Sequence, residues 1–565
     1  MNRNEILQSL RQTPDISVLI VGGGINGVGA FRDLALNGVD VLLIDRADFC
    51  SGASAASSHM AHGGIRYLEN GEFRLVREAV QERNRMIANA PHLVRPLPTT
   101  IPIFRWFSGL LNAPLKFLNW HDKPSERGAA VIKIGLMLYD AYTDRQRAVP
   151  RHTLRSRAAS LKRWPRLNPQ VICTATYYDG AILNPERLAL ELLLDAEAEG
   201  PHARALNYVS LSGAQGGAAA LRAELGGAAF DVKPRLLINA AGAWIDASNR
   251  AMGLSTRFIG GAKGSHLVLD NPELRAAIGD DELFFENKDG RIVLIFPLYD
   301  KVLVGTSDIP IDDPHEARCT EEEVDYFLEM VARVFPDIKV ERAHIVFRFS
   351  GVRPLAYSKT QAAGQVSRDH SIQVMDGAWT GLDFPVYSLV GGKWTSYRAF
   401  SEQVTDKALA FLGRRRQKNT QSLPIGGGRG YPLTPEDYRR RLDSSHAWTG
   451  LPIERVRALY DRYGSRADPM AIFIAQGADE ALKSLSDYSR AEIAYLAQNE
   501  KTVHLDDLLL RRSMLAMLGL LTRQGVDELA DALGDALGWG AEQKKAEVKR
   551  ALALLADRHG VVLAP

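Results

Sequence analysis

Apolar residues recur along this chain in two spacings, and the texture changes once. Up to about residue 410, short apolar runs alternate with segments of helical period. The strand-like runs include Ile16-Ser-Val-Leu-Ile-Val21, Val41-Leu-Leu-Ile44, Arg235-Leu-Leu-Ile-Asn239, Ile292-Val-Leu-Ile-Phe296 and Lys301-Val-Leu-Val-Gly305. Residues 75–88 and 185–199 have the spacing of helices. Residues 213–229, rich in Gly and Ala, read as a hairpin. Arg414-Arg-Arg-Gln-Lys418, followed by Pro424-Ile-Gly-Gly-Gly-Arg-Gly-Tyr-Pro432, reads as a linker. Nearly everything beyond Thr434 is helical in period, for example residues 490–498 and 505–522. The pattern predicts an α/β part over residues 14–425 and an all-helical domain over 430–565, separate from the first part's chemistry.

The first of these runs carries the most specific signal. An apolar strand leads into Gly22-x-Gly24-x-x-Gly27, a helix follows, and the second strand ends at Asp45. This is the layout of a dinucleotide-binding βαβ unit. Gly22 permits the tight turn, Gly24 lets backbone N–H groups approach a pyrophosphate, and Gly27 lets the helix pack on the strand. Asp45 would accept a hydrogen bond from the adenosine ribose. Two further strand-to-glycine junctions, Asn239-Ala-Ala-Gly-Ala-Trp244 and Val390-Gly-Gly-Lys393, favour FAD, because a flavin must be held from adenine to ring. A helix start at the second junction would stabilise the anionic edge of a reduced flavin.

Composition narrows the rest. The formal net charge of +2 over 565 residues argues against a bulk nucleic-acid binder. Cys50, Cys173 and Cys319 are far apart, without metal-ligand spacing, so neither a metal site nor a structural disulfide is expected. Residues 1–14 lack the apolar core of a signal peptide, and no window offers the ~20 apolar residues of a spanning helix. The chain is therefore expected to begin in the cytoplasm.

Several blocks resemble FAD-dependent glycerol-3-phosphate dehydrogenases. They are Ser57-Ser-His-Met-Ala-His-Gly-Gly-Ile-Arg-Tyr-Leu68, Phe73-Arg-Leu-Val-Arg-Glu-Ala-Val80, Lys263-Gly-Ser-His266, Gly305-Thr-Ser-Asp308, Ser350-Gly-Val-Arg-Pro-Leu355, Ser367-Arg-Asp369 and Gly391-Gly-Lys-Trp-Thr-Ser-Tyr-Arg398. In the C-terminal part, Ala491-Glu-Ile-Ala-Tyr-Leu496 and residues 506–512 are similar too. The resemblance implies an amino-acid-oxidase-like flavoprotein: an FAD-binding Rossmann-like domain (roughly 14–95, 160–255 and 345–412), an antiparallel-sheet substrate domain (roughly 96–159 and 256–344), and the helical C-terminal domain. It also implies oxidation of sn-glycerol 3-phosphate to dihydroxyacetone phosphate, with electrons passed to quinone by a protein attached peripherally to the cytoplasmic face of the inner membrane. A homodimer is a possible assembly.

The residues point to a phosphate substrate on their own. A buried phosphomonoester needs several cationic donors to offset its desolvation. Arg353, Arg368 and Lys393 are the candidates, with Thr395 beside them and with Arg66 and Tyr67 closing the site from the flavin side. Hydride removal from C2 needs a base for the hydroxyl proton, which points to His266 or His62, assisted by Arg353. The cofactor set comprises Gly22, Gly24, Asn26, Gly27, Asp45, Ser57, Ser58, His62, Gly63, Gly242, Gly391 and Gly392. The chain departs from the family at His59, commonly Lys, at Ala241 and Ala243, and at Trp394, commonly aliphatic. Another phosphorylated polyol, such as a tetritol phosphate, or an oxygen-using amine oxidation on the same fold, are the alternatives. Residues 101–120 and 133–139 mix aromatic and basic residues, as an interfacial membrane anchor or a cap over the active site would. The basic runs Arg439-Arg-Arg441 and Arg511-Arg512 read as solvated helix faces.

Overall fold

The computed structural model describes residues 1–65, 72–105, 132–133, 135–137, 139–140, 148–286, 292–358 and 369–564. Strand β1 (Asp15–Val21) is apolar and buried along most of its length, as a central parallel strand covered on both faces must be. It turns through Gly22 into α1 (Ile25–Leu36). Every residue of α1 except Asn26 is buried, so this helix is apolar on nearly all sides. The chain then enters β2 (Val41–Ile44), parallel to β1. Helix α2 (Pro185–Glu197), capped by Asn184, leads to β3 (Ala203–Leu206), and β4 (Ala229–Asn239) returns to the sheet centre. The order is Ser371–Met375, Val386–Val390, β4, β1, β2, β3. All pairs are parallel except that made by Ser371–Met375. The expected hairpin is formed by Val209–Gln215 and Ala218–Ala223, with Gly216 at φ +55° in its turn, and it continues antiparallel into β4.

A second, larger sheet contains ten strands among the described residues. It is antiparallel apart from the pairing of Glu282–Glu286 with Val94–Ile103. Within it, β5 (Ala262–Leu269) lies between β6 (Lys301–Gly305) and β7 (Ile345–Arg353). Cross-strand partners share a face, so His266, Gly305 and Phe349 sit in one row.

After residue 430 the chain is helical, ending in α3 (Ala541–His559). These helices do not form an isolated core. Leu459, Leu505, Leu529 and Leu555 share one apolar cluster with Met60, Leu294, Phe347 and Phe349 of the second sheet. Each such side chain, once buried, contributes roughly 1.5–3 kcal/mol, so the helical region is held tightly to the sheet.

Several sequence expectations need correction here. Residues 505–522 are not one helix: a short helix Leu505–Asp507 runs into a π-helical turn, Leu508–Arg512, and the chain leaves helical geometry at Ser513. The Ser513 hydroxyl donates to the Leu508 carbonyl at 2.8 Å, competing with helical continuation. Arg511 and Arg512 are buried ion-pair partners rather than a solvated face. The glycine-rich connection is packed, not a free tether: Gly426 and Gly427 are buried, and their N–H groups donate to Asp195 and Glu191 of α2. Of the supposed interfacial stretch, residues 106–131, 134 and 138 lie outside the described residues. Leu136 and Tyr139 are buried in the core, and Met137 is exposed. Among the described residues, no helix is long and apolar enough to cross a membrane.

Candidate active site

One cavity of about 1260 Å³ is lined by both sheets and by the helical region. Its first wall is the glycine turn. Gly22 adopts φ +109°, and a Cβ there would stand 2.6 Å from the Ala240 carbonyl oxygen. A Cβ on Gly27 would come within 1.9 Å of the Gly22 oxygen, so Gly27 serves helix-to-strand packing and is not itself on the cavity wall. Gly24 is the N-cap of α1, without a side-chain cap and with no acidic residue in the first turn. The positive helix end, with Ile25 N–H taken by Ser54 and the next turn's N–H groups beyond it, suits a pyrophosphate. Asp45 lines the same wall. Its carboxylate accepts from Gly23 N at 2.7 Å and Ala47 N at 2.9 Å, and burial raises its pKa to about 6.

The loop after β2 supplies the next stretch. Ser54 Oγ accepts from Ile25 N at 3.0 Å, and the Trp394 indole N–H donates to the Ser54 carbonyl at 3.0 Å. The indole thus fixes the loop at the start of α1. Asn26 donates to the Gly391 carbonyl at 3.3 Å, while its buried Oδ1 has no hydrogen-bond partner. Gly391 and Gly392 have φ of +80° and +97°, and a Cβ on Gly392 would meet Asn26 Nδ2 at 2.6 Å. Gly242, Ser57, Ser58, His62, Lys393 and Thr395 also line the cavity. Glycine turn, helix end, Asp45 carboxylate and second glycine pair together fit FAD.

The second wall is the β5–β6–β7 face. The His266 ring is stacked on Phe349, with centroids 4.8 Å apart and planes 13° apart, and its Nε2 lies 2.8 Å from Ser58 Oγ. A Cβ on Gly305, the opposite cross-strand neighbour, would come within 2.1 Å of the ring. The imidazole is therefore clamped from both sides. Burial, then the Arg353 charge, then His59, hold its pKa well below 6.5. Arg353 reaches back over Gly264, where a Cβ would stand 2.3 Å from Nη2. It donates to Thr306 Oγ1 at 2.9 Å, to the Ser307 carbonyl at 3.0 Å and to Asp308 Oδ1 at 3.0 Å. The Lys263-Gly-Ser-His and Gly-Thr-Ser-Asp blocks thereby acquire physical roles: two glycines make room for one imidazole and one guanidinium.

Most of the sequence-derived site comes together around this cavity, but three of its members, Arg66, Tyr67 and Arg368, lie outside the described residues. Gly63 is turned away from the cavity, donating its N–H to Asp179 at 2.9 Å and to Tyr139 OH at 3.1 Å, and it is Gly64 that lines it. His59 is fully buried off the cavity wall, with Nδ1 3.0 Å from the Ile182 carbonyl, and burial lowers its pKa to about 4. Sequence reasoning missed Ser54 and Trp244. It also missed the helical region, which lines the cavity with Leu510, Arg511, Met517, Leu554 and His559. The C-terminal part is thus not separate from the site. No local signal marked it, because those side chains are brought in by packing over hundreds of residues.

Comparison with known proteins agrees with this geometry. The family described as FAD dependent oxidoreductase matches residues 17–384, and the C-terminal domain of alpha-glycerophosphate oxidase matches residues 418–544. A glycerol-3-phosphate dehydrogenase of Synechocystis sp. is 33% identical, over 96% of this chain and 97% of that protein. The mitochondrial glycerol-3-phosphate dehydrogenase of Mus musculus is 27% identical, over 98% of this chain and 75% of that protein. The fold is also that of the glycerol-3-phosphate dehydrogenase from Bacillus halodurans complexed with FAD. That likeness has a TM-score of 0.75 at 22% identity and covers 98% of this chain and 97% of the other. With the glycine turn, the two-sheet cavity and full-length similarity in hand, the chain belongs to the FAD-dependent oxidoreductases, within the glycerol-3-phosphate dehydrogenase family.

Proposed function

We propose that the protein oxidises sn-glycerol 3-phosphate to dihydroxyacetone phosphate in this cavity, with FAD as its bound oxidant. FAD supplies the acceptor for the hydride leaving substrate C2, at flavin N5. The chain's own residues do the rest. The glycine turn and the start of α1 hold the pyrophosphate, and Asp45 accepts from the adenosine ribose. His266, neutral because it is buried beside Arg353, takes the C2 hydroxyl proton at Nε2, where Ser58 now sits. Arg353, kept in orientation by Asp308 and Thr306, faces the substrate phosphate together with Lys393. Arg368, Arg66 and Tyr67 complete the phosphate and flavin sides of the pocket in this reading.

The observation that carries the proposal is that His266 and Arg353, on one face of β5–β7, line the same cavity as the glycine turn. The family resemblance extends the reading to a membrane quinone as electron acceptor, with peripheral attachment at the cytoplasmic face. Single-turnover reduction with His266→Gln tests the chemistry. The variant should retain FAD while flavin bleaching slows ~10²–10⁴-fold, the usual contribution of a general base. Bleaching at the wild-type rate would remove His266 from the role.

A further inference from the structure

We propose that Arg511, Arg512 and Asp507 of the helical region are positioning residues for the adenosine end of the FAD site, so that cofactor affinity depends on them. The inference rests on the FAD reading of the cavity. Two turns form that end. The first runs from Asp45 to Asp48, and the second is Asn207–Tyr208, where Tyr208 is held at φ +53°. They are tied together by Tyr208 N donating to the Ala47 carbonyl at 3.0 Å and Val209 N donating to the Asp45 carbonyl at 2.7 Å.

Both turns are also gripped from the C-terminal side. Asp48 is buried and accepts from Arg511 Nε at 2.5 Å, from Arg512 Nη1 at 2.5 Å and from Arg512 Nη2 at 2.9 Å. Asn207 adds a fourth donor to it at 3.0 Å. The Tyr208 hydroxyl donates to Asp507 Oδ1 at 2.5 Å, and Arg511 Nη2 donates to the same oxygen at 2.7 Å. Asp506 closes the cluster, accepting from Arg511 and Arg550.

Asp48, Asp506 and Asp507 are thus buried against the buried Arg511 and Arg512, with the exposed Arg550 at the rim, and Asp48 and Arg511 reach the cavity wall; removing one buried member leaves an uncompensated charge. Burial alone would raise the Asp48 carboxyl, but Arg512 and Arg511 bring it below the usual carboxylate range. Asp507 also caps its own short helix, its Oδ2 accepting from Val503 N and His504 N at 2.9 Å, and Arg512 also donates to the Glu500 carbonyl. What they do share is a grip on the two turns whose backbone fixes Asp45.

The test compares FAD dissociation constants, measured by flavin fluorescence on apoprotein, for wild type, Arg511→Lys, Tyr208→Phe and Arg466→Lys. Arg466 bridges the helical region to Asp195 of α2 at 2.8 Å, and neither residue lines the cavity. It therefore controls for general loosening between the two parts. Arg511→Lys and Tyr208→Phe should weaken FAD binding by about 10–100-fold, the range seen for outer hydrogen-bond partners of metal ligands. Arg466→Lys should not, and its flavin-reduction rate should stay at the wild-type value. Should Arg511→Lys not fold, Tyr208→Phe, which deletes one hydroxyl, decides alone. Wild-type affinity in Arg511→Lys and Tyr208→Phe, with a wild type that binds FAD, would overturn the proposal. So would an equal loss in Arg466→Lys. A wild type that does not bind FAD would overturn the cofactor reading itself, and this proposal with it.

Discussion

Gly305→Ala should slow the reaction without replacing any polar side chain. Its Cβ would stand 2.1 Å from His266 Cδ2 and 2.7 Å from Nε2, whereas carbon atoms in contact sit about 3.5–4.0 Å apart. The ring has to give by more than about 1 Å. It cannot retreat along the stacking axis, because Phe349 covers its other face with centroids 4.8 Å apart. The 2.8 Å contact with Ser58 is then lost. A displacement of that size at a reacting group costs about 10²-fold in rate, or about 2.7 kcal/mol in activation free energy. Gly305 does not line the cavity, so FAD affinity should be unchanged. The assay is anaerobic stopped-flow reduction of the bound flavin, alongside FAD titration of the apoprotein. Reduction at the wild-type rate would refute the clamp, and loss of FAD would show that Gly305 acts on the fold instead.

Three further outcomes follow, two from the same wall and one from the glycine-turn wall. Gly264→Ala should raise KM for the phosphorylated substrate far more than it lowers kcat, since its Cβ would displace Arg353 and leave His266 in place; steady-state kinetics separate the two. The acid limb of kcat/KM should lie below pH 6.5, because only the neutral imidazole accepts the proton and its pKa is depressed. In Arg353→Ala the limb should move up, one depressing charge having been removed. FAD binding should weaken as pH falls through about 6, where Asp45 protonates and ceases to be a pure acceptor, by up to about tenfold per pH unit; Asp45→Asn should flatten that dependence in a titration series.

What the sequence revealed was local. Gly22, Gly24, Gly27 and Asp45 lie within one βαβ unit, and their spacing alone implies the turn and the ribose acceptor. The motif blocks around His266 and Arg353 likewise reached the cavity, though not the reason for their glycines, which appears only when β5, β6 and β7 are laid side by side. Gly63 and Gly64 are neighbours of one residue type, and only the fold separates the one that holds Tyr139 from the one that lines the cavity. Arg511 and Arg512 were misread for a different reason. A charge run looks solvated unless its partner is known, and here the partner, Asp48, is 463 and 464 residues away. The helical period of residues 505–522 holds as far as Arg512 and stops at Ser513, whose hydroxyl bonds back to the Leu508 carbonyl.

The most direct measurement mixes the FAD-loaded protein anaerobically with a panel of phosphorylated polyols and of amino acids while flavin absorbance is followed. Bleaching by sn-glycerol 3-phosphate, with dihydroxyacetone phosphate recovered in amounts matching the flavin reduced, is the predicted result. Bleaching by an amino acid or by a tetritol phosphate, with glycerol 3-phosphate inert, would contradict it.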